Sequence, residues 1–491
     1  MTIDWTHFTP GSALAAGFSA EGHHSMTRIP SIAVVGAGFS GAMLAVHLAR
    51  QAVGRLEIVM IDRNGSRGRG LAYSAENPNH LLNVRVDNMS AFPDQPGHFR
   101  DWLERRRGSA DALAFVSRGV YGAYLEDVFS TALACAGGRV SITQRTASCI
   151  DLRHDGAWTL ALSGGTLLRA DAVALCLGNF PPRLPAAVEA AVGSDERVIA
   201  DPWKSKSFSR IKSGDRVVVI GSGLTMADVA VQLQDQGHEG PILVVSRHGL
   251  QPNVHAKTDS WPEFVDPARP PASALALLRL VRRETAKAQT KGADWRAVID
   301  SMRPLLIPVW RTLPLTEQKR ALRHLRPYWD AHRHRIAPEV DARLQGLRAS
   351  GRLRLLAGSL VVARAKPEAV EIEIRRRGGD AIETLRADWL IHCTGPATAF
   401  DRISDPLVRA LLGRGTATPD AVRLGLAVTP DCNVIDASGR PHERLYATGP
   451  LTRGAFWEML AVPELRRQAP VVARRLLQSV QSDARAEIFA L

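Results

Sequence analysis

Cysteine is scarce and badly placed for redox work: Cys135, Cys149, Cys176, Cys393 and Cys432 are the only five in 491 residues, and no C-x-x-C pair occurs. An odd, scattered set excludes a disulfide framework, and it excludes a dithiol reductase, whose two thiols must reach each other. Long apolar runs are also missing. Nothing approaches the roughly 20 residues that cross a bilayer, and Met1 to Pro30 has no charged segment leading into an apolar core. A cytoplasmic protein with no membrane partner is the expectation. Acidic residues are in deficit, 49 against 62 Lys and Arg, for a formal charge of +13. Such an excess suits nucleic acid, a membrane surface or anionic small molecules. With no block of five basic residues in a row and no nucleic-acid-reading motif, nucleic acid is set aside. Phosphorylated cofactors and an acidic substrate account for part of the charge, and a solvated surface for the rest.

What the chain does have is a glycine pattern. Ile32-Ala-Val-Val35 runs into Gly36-Ala-Gly38-Phe-Ser-Gly41 and continues as Ala42 to Ala49, which reads as strand, turn and helix. In G-x-G-x-x-G the first glycine permits the tight turn, the second lets the backbone approach a pyrophosphate, and the third lets helix and strand pack closely. Helix N–H groups then face the anion. The next strand, Leu56 to Ile61, ends on Asp62, an acceptor for a ribose hydroxyl. Strand, glycine turn, helix and acidic strand end together specify a dinucleotide site.

The pattern returns at Asp215 to Ile220, Gly221-Ser-Gly223 and Ala227 to Leu233, with Met226 where the third glycine would stand. Its second strand, Pro241 to Val245, ends in Ser246-Arg247-His248. A guanidinium and a hydroxyl suit a 2′-phosphate that a carboxylate would repel, so NADPH is expected over NADH. Between the two motifs lies an Asn-, Asp- and Pro-rich stretch, Gly68 to Leu103, carrying Asn83 and Met89. It reads equally as a cover over a cofactor or as a packed structural loop. Ser117 to Phe129 has helical spacing, and Ala172 to Leu177 is a buried strand running into Gly178.

From about 255 to 345 the strand and helix alternation stops. Helices are expected over Ser273–Ala286, Asp294–Met302 and Leu315–His332, separated by Pro304, Pro308 and Pro314. This segment is rich in arginine, Arg303 and Arg333 included, and its His332 and His334 lack the partners of a metal site. Short alternating strands are expected over 353–384, a strand from Asp388 to Cys393 before Thr394-Gly395, and a last helix near Val462-Pro463, Pro being free of cost in a first turn.

The fold class is therefore α/β, two dinucleotide-binding (Rossmann-like) domains with an inserted helical subdomain. Residues 1–29 read as a flexible leader, 30–205 as the first part of an FAD-binding domain, 206–395 as the NADPH-binding domain and 396–491 as the second part of the FAD-binding domain. The two glycine motifs, with the returns at Leu177-Gly178, Thr394-Gly395 and Thr448-Gly449, resemble the two-dinucleotide-binding flavoproteins. Within these the chain is similar to the class B flavin monooxygenase lineage, including N-hydroxylating enzymes of the L-aspartate type. That resemblance implies FAD at Gly36, Gly38, Gly41 and Asp62, with Gly449 at the final return. It implies NADPH at Gly221, Gly223, Ser246 and Arg247. It also implies Asn83 and Met89 beside the isoalloxazine, and Ala461 and Val462 at the helix end near the flavin pyrimidine. Of the Baeyer-Villiger fingerprint only Trp203 has a counterpart.

The expected activity is oxygen transfer from O2 to a small, anionic nucleophile, with Arg303 and Arg333 as candidates for holding a carboxylate. An NADPH-dependent flavin reductase or electron-transfer protein is the alternative, and a polyanion-binding scaffold a third reading. A homo-oligomer is compatible with all three.

Overall fold

The computed structural model describes residues 28–203, 208–266 and 268–489. The leader expected over 1–29 lies outside them except for Arg28 and Ile29, and Arg28 ion-pairs with Asp171 at 2.6 Å.

Strands fall in three sheets. In chain order they are β1 Ser31–Val35, β2 Leu56–Asp62, β3 Val140–Thr146, β4 Cys149–Asp155, β5 Ala157–Leu162, β6 Leu167–Ala170, β7 Ala172–Leu175, β8 Val198–Ile199, β9 Val217–Ile220, β10 Ile242–Ser246, β11 Leu353–Ala365, β12 Val370–Arg376, β13 Ile382–Ala387, β14 Trp389–His392, β15 Asn433–Ile435 and β16 Pro441–Ala447. The first sheet has the order β15-β16-β7-β1-β2-β3, the second β13-β12-β11-β10-β9-β14-β8, and β4-β5-β6 form a small third sheet. The chain leaves the first sheet after β7, builds the second, and returns to add β15 and β16. Outgoing and returning segments meet at an antiparallel bridge between Phe180 and Ala397.

Both large sheets are mainly parallel and covered on both faces, which is why their central strands read as unbroken apolar runs. Alternate residues of β1 serve different cores. Ile32 and Val34 pack under the helices Phe39–Gln51, Arg118–Cys135 and Val462–Phe489. Ala33 and Val35 face the small sheet and the helix Pro406–Gly413. The second sheet repeats this, with Val217 and Val219 on one side and Val218 and Ile220 on the other.

Several elements differ from the sequence reading. The segment after Leu353 holds the expected short strands in β12 and β13, but it opens on a long one. Its first strand, β11, runs 13 residues, pairing β10 in parallel at one end and β12 antiparallel at the other. The two pairings, and not a continuous apolar run, set that length, since Arg354, Gly358, Ser359 and Arg364 interrupt the sequence. The helix expected over Leu315–His332 is two, Leu315–Arg320 and Arg326–Arg333, joined by a wide turn at Ala321–Leu325. Pro327 lacks the N–H that would continue the ladder. Ser273 and Asp294 do cap the helices Ala274–Thr290 and Trp295–Ser301 through their side-chain oxygens. Two further helices, Leu306–Thr312 and Pro338–Ala349, were not read from the sequence.

Candidate active site

Both glycine motifs build the same turn. Gly36 has φ +99° and Gly221 φ +103°, a region only glycine enters cheaply. A Cβ on either would collide with a backbone carbonyl, that of Cys176 beneath Gly36 and that of Cys393 beneath Gly221. Those carbonyls end β7 and β14, so each first glycine is needed where the turn crosses a neighbouring strand. A Cβ on Gly41 would strike the Gly36 carbonyl, which fixes the third glycine as a packing requirement. At the matching position of the second turn the fully buried Met226 fills the space, and its helix must stand farther from the turn.

The middle glycines behave differently. Gly38 and Gly223 have ordinary negative φ, −71° and −83°. A Cβ on Gly38 would touch only the Gly70 Cα at 3.4 Å, and one on Gly223 would meet nothing within 4 Å. The protein itself does not require glycine there, and the open face of each turn leaves room for a ligand to lie against it. The helices that follow have no side-chain cap and no acidic residue in the first turn, so their free N–H groups and positive dipole ends suit a pyrophosphate. The residues present therefore fit a dinucleotide at both turns.

Asp62 brings its carboxylate back to the first turn, where Oδ2 accepts from Ala37 N at 2.9 Å and Oδ1 from Asn64 N at 2.9 Å and Ser66 N at 3.1 Å. Oδ2, with a single bond, retains acceptor capacity for a ribose hydroxyl. Gly449, φ +69°, packs on the same turn: a Cβ there would stand 2.5 Å from Ser40 Oγ. At the end of β10 the Ser246 hydroxyl is buried without a partner and Arg247 is exposed.

The remaining candidates gather at one junction. Met89 is buried in the first core with Val462. The Asn83 carbonyl accepts from His255 Nε2 at 3.0 Å, which ties the loop after β2 to the start of the helical insertion. Burial first, then the Arg335, Arg85 and Arg333 guanidiniums, push the His255 imidazole down to about 3 despite that bond, so it is neutral. Ala461 and Val462 open the last helix, where Ala461 O accepts from Leu465 N at 3.0 Å. One turn in, Glu464 receives Arg303 through Nη2 at 2.8 Å and Nε at 3.2 Å, and Arg333 Nη2 stands 3.6 Å away. The two arginines singled out from the sequence thus meet at one carboxylate beside the same helix N-terminus.

Several neighbours were missed by sequence reasoning. Glu458 is 1% exposed and adopts φ +70°, a costly conformation for a residue with a side chain. Trp329 Nε1 donates to its Oε1 at 3.0 Å, while Oε2 lies 3.5 Å from His334 Nε2 and 3.8 Å from Arg333 Nε. Burial alone would raise this carboxyl; His334, Arg333 and the Trp329 indole outweigh it and hold it well below the carboxylate range. Arg466, on the same helix as Glu464, donates to Ser90 O at 3.0 Å beside Met89. Buried guanidinium nitrogens of Arg85, Arg333, Arg335 and Arg466 make no hydrogen bond, although those of Arg333 stand within ion-pair distance of Glu458 and Glu464. Only the arginine content of the insertion could have signalled this cluster, since its carboxylates lie more than a hundred positions away in sequence.

A family model described as FAD-NAD(P)-binding matches residues 33–180, the span of β1 through β7 and the first turn. Residues 33–180 are an FAD/NAD(P)-binding domain. Solved flavoprotein monooxygenases share the whole fold. An ornithine N-hydroxylase from Kutzneria sp. 744, solved with reduced FAD, NADP+ and L-ornithine, is 16% identical with TM-score 0.62, over 92% of this chain and 99% of that one. The FAD-bound cadaverine monooxygenase of Erwinia amylovora is 13% identical with TM-score 0.63, over 91% and 94%. L-lysine 6-monooxygenase from Pseudomonas syringae is 15% identical with TM-score 0.62, over 92% and 100%. No characterised protein matches by sequence alone. The FAD/NAD(P)-binding domain and the second glycine turn therefore sit in a two-dinucleotide-binding flavoprotein monooxygenase fold. Among the described residues no helix is long and apolar enough to cross a membrane.

Proposed function

We propose that the protein is an FAD- and NADPH-dependent monooxygenase that N-hydroxylates a small amine or amino acid, with L-aspartate the first candidate. Residues 30–205 and 396–491 would hold FAD, and 206–395 NADPH. Reduced by NADPH, FAD supplies the activation of O2 and the oxygen atom delivered to a nucleophilic nitrogen. The chain's own work is to bind, orient and keep water out.

One observation carries the carboxylate part of the reading. Three buried arginines, Arg333, Arg335 and Arg466, and the half-buried Arg85 keep N–H groups free of hydrogen bonds around Asn83, Met89 and the Val462 helix end, although each such group costs about 1–3 kcal/mol when left unmet. A bound carboxylate satisfies several of them at once, and a guanidinium fork matches its geometry. Arg333 is the better placed of the two sequence candidates. Its Nε and Nη2 are free of hydrogen bonds, whereas Arg303 has committed both corresponding nitrogens to Glu464. The structurally similar enzymes named above act on ornithine, cadaverine and lysine, which supports nitrogen as the oxygenated atom.

Arg333→Lys keeps the charge and loses the fork. It should raise the KM for the amino acid about tenfold, about 1.4 kcal/mol, and divert NADPH oxidation to peroxide, while the rate of NADPH oxidation without amino acid stays within twofold. Arg303→Lys should act in the same direction through Glu464. A panel of L-aspartate, ornithine, cadaverine and an uncharged thioether, assayed for hydroxylamine against NADPH consumed, tests the substrate class. Oxygenation of the thioether alone would refute it.

Coenzyme choice gives a second result. Arg247→Ala should weaken NADPH by about 1.5–3 kcal/mol, the range of a charged hydrogen bond, and leave the KM for NADH nearly unchanged. Equal losses for both coenzymes would place Arg247 elsewhere.

A further inference from the structure

The end of β10 carries more positive charge than Arg247 alone. Ser246 pairs with Ala357 of β11, and Ala357 O accepts from Arg377 N at 2.9 Å. Arg377 is the first residue after β12, so the antiparallel return of the meander delivers its side chain beside the Ser246 strand end. Its Nη1 lies 3.5 Å from His248 O. Gly249, φ +64°, turns the chain against Ala357, where a Cβ would stand 3.1 Å from the alanine Cβ, so the loop carrying Arg247 and His248 is folded onto the same place.

Three features make this a cradle for an anion. Among the described residues, Arg247 and Arg377 have no ion-pair partner, whereas Arg364 and Arg376 of the same meander are neutralised by Glu373 and, at 2.6 Å, by Glu383. The Ser246 hydroxyl and His248 Nδ1 are buried without partners. Burial, then Arg377 and Arg247, lower the His248 imidazole, which sets it against adding a third positive charge.

We propose that Arg377 closes a two-arginine clamp with Arg247 on the 2′-phosphate of the coenzyme and is a determinant of NADPH selectivity. This rests on the reading of the second glycine turn as an NADPH site. Arg247 approaches from the strand end itself and Arg377 from the start of the hairpin turn between β12 and β13, so the two guanidiniums enclose the dianion from two sides with Ser246 between them. Sequence patterns do not reveal such a residue, because it lies 130 positions (377 − 247) beyond the motif it completes.

The test uses the full-length holoprotein and titrates adenosine 2′,5′-bisphosphate against AMP by calorimetry at fixed ionic strength, so that no turnover is needed. Wild type is expected to prefer the bisphosphate. Arg377→Ala should cut that preference tenfold or more with AMP binding unchanged, and Arg377→Lys should retain part of it. Arg364→Ala, an exposed arginine already paired with glutamate, should change neither. A wild-type preference that survives intact in Arg377→Ala overturns the clamp and leaves the NADPH reading standing. Absence of any preference in wild type overturns both.

Discussion

Gly38→Val is expected to purify folded but colourless. A Cβ at this position comes within 4 Å of Gly70 alone, 3.4 Å from its Cα, and the backbone angles there, φ −71° and ψ −167°, are open to residues with a side chain. Stability should fall by no more than about 1 kcal/mol, the scale of a poorer helix cap. What the side chain takes away is the volume against the turn where a pyrophosphate lies. Loss of FAD affinity of at least 100-fold, about 2.7 kcal/mol, is the expected result of equilibrium dialysis. Gly36→Val and Gly41→Val should instead fail to fold, since their side chains collide with the Cys176 and Gly36 carbonyls. Stoichiometric FAD in purified Gly38→Val would contradict the assignment of the first turn.

The second large effect concerns the joint between the two dinucleotide folds. Arg118, at the start of the helix Arg118–Cys135, reaches across to Asp228 on the helix Leu224–Asp235, with Nη2 2.7 Å from Oδ2 and both side chains largely buried. Trp203 lies under the guanidinium at 5.3 Å, and the Asp228 carbonyl accepts from His80 Nε2 at 3.2 Å. Asn77 and Asn79 extend the joint to Asp235. Arg118→Ala leaves the Asp228 carboxylate buried without its partner, at a cost of about 3–5 kcal/mol, read as a lowered denaturant midpoint. Burial raises the Asp228 carboxyl, with Arg118 and His80 opposing, and in the variant the first of those restraints is gone. A folded-state value above the unfolded one makes stability fall as pH rises between them. The deficit should therefore be small near pH 4, about the unfolded value, and grow towards neutrality. Asp228→Asn in the Arg118→Ala background should recover most of the loss and remove its pH dependence.

How far the sequence could be read depends on the range of the forces involved. The two turns were legible because steric rules act within six residues: Gly36 and Gly221 must reverse the chain, and Gly38 and Gly223 must leave room. The helix starts at Ser273 and Asp294 were legible for the same reason. The wide turn at 321–325 and the long strand β11 were not, because pairing with β10 and packing of the insertion decide them. The junction was half legible. Arg303 and Arg333 stood out as arginines beside prolines and aromatics, but Glu458 and Glu464, which determine what those arginines can still bind, lie on the returning chain. The backbone of Glu458 in the left-handed region has no counterpart in composition or spacing at all.

The central claim is transfer of one oxygen atom from O2 to a substrate nitrogen, and isotope incorporation tests it most directly. Purified holoprotein would be given NADPH, L-aspartate and isotopically labelled dioxygen, with NADPH consumption and the mass of the product followed together. Labelled oxygen on the amino acid nitrogen, in close to one-to-one proportion with NADPH consumed, is the predicted result. NADPH consumption recovered entirely as labelled peroxide, with L-aspartate and with every other amine of the panel, would contradict the account and leave a flavin reductase in its place.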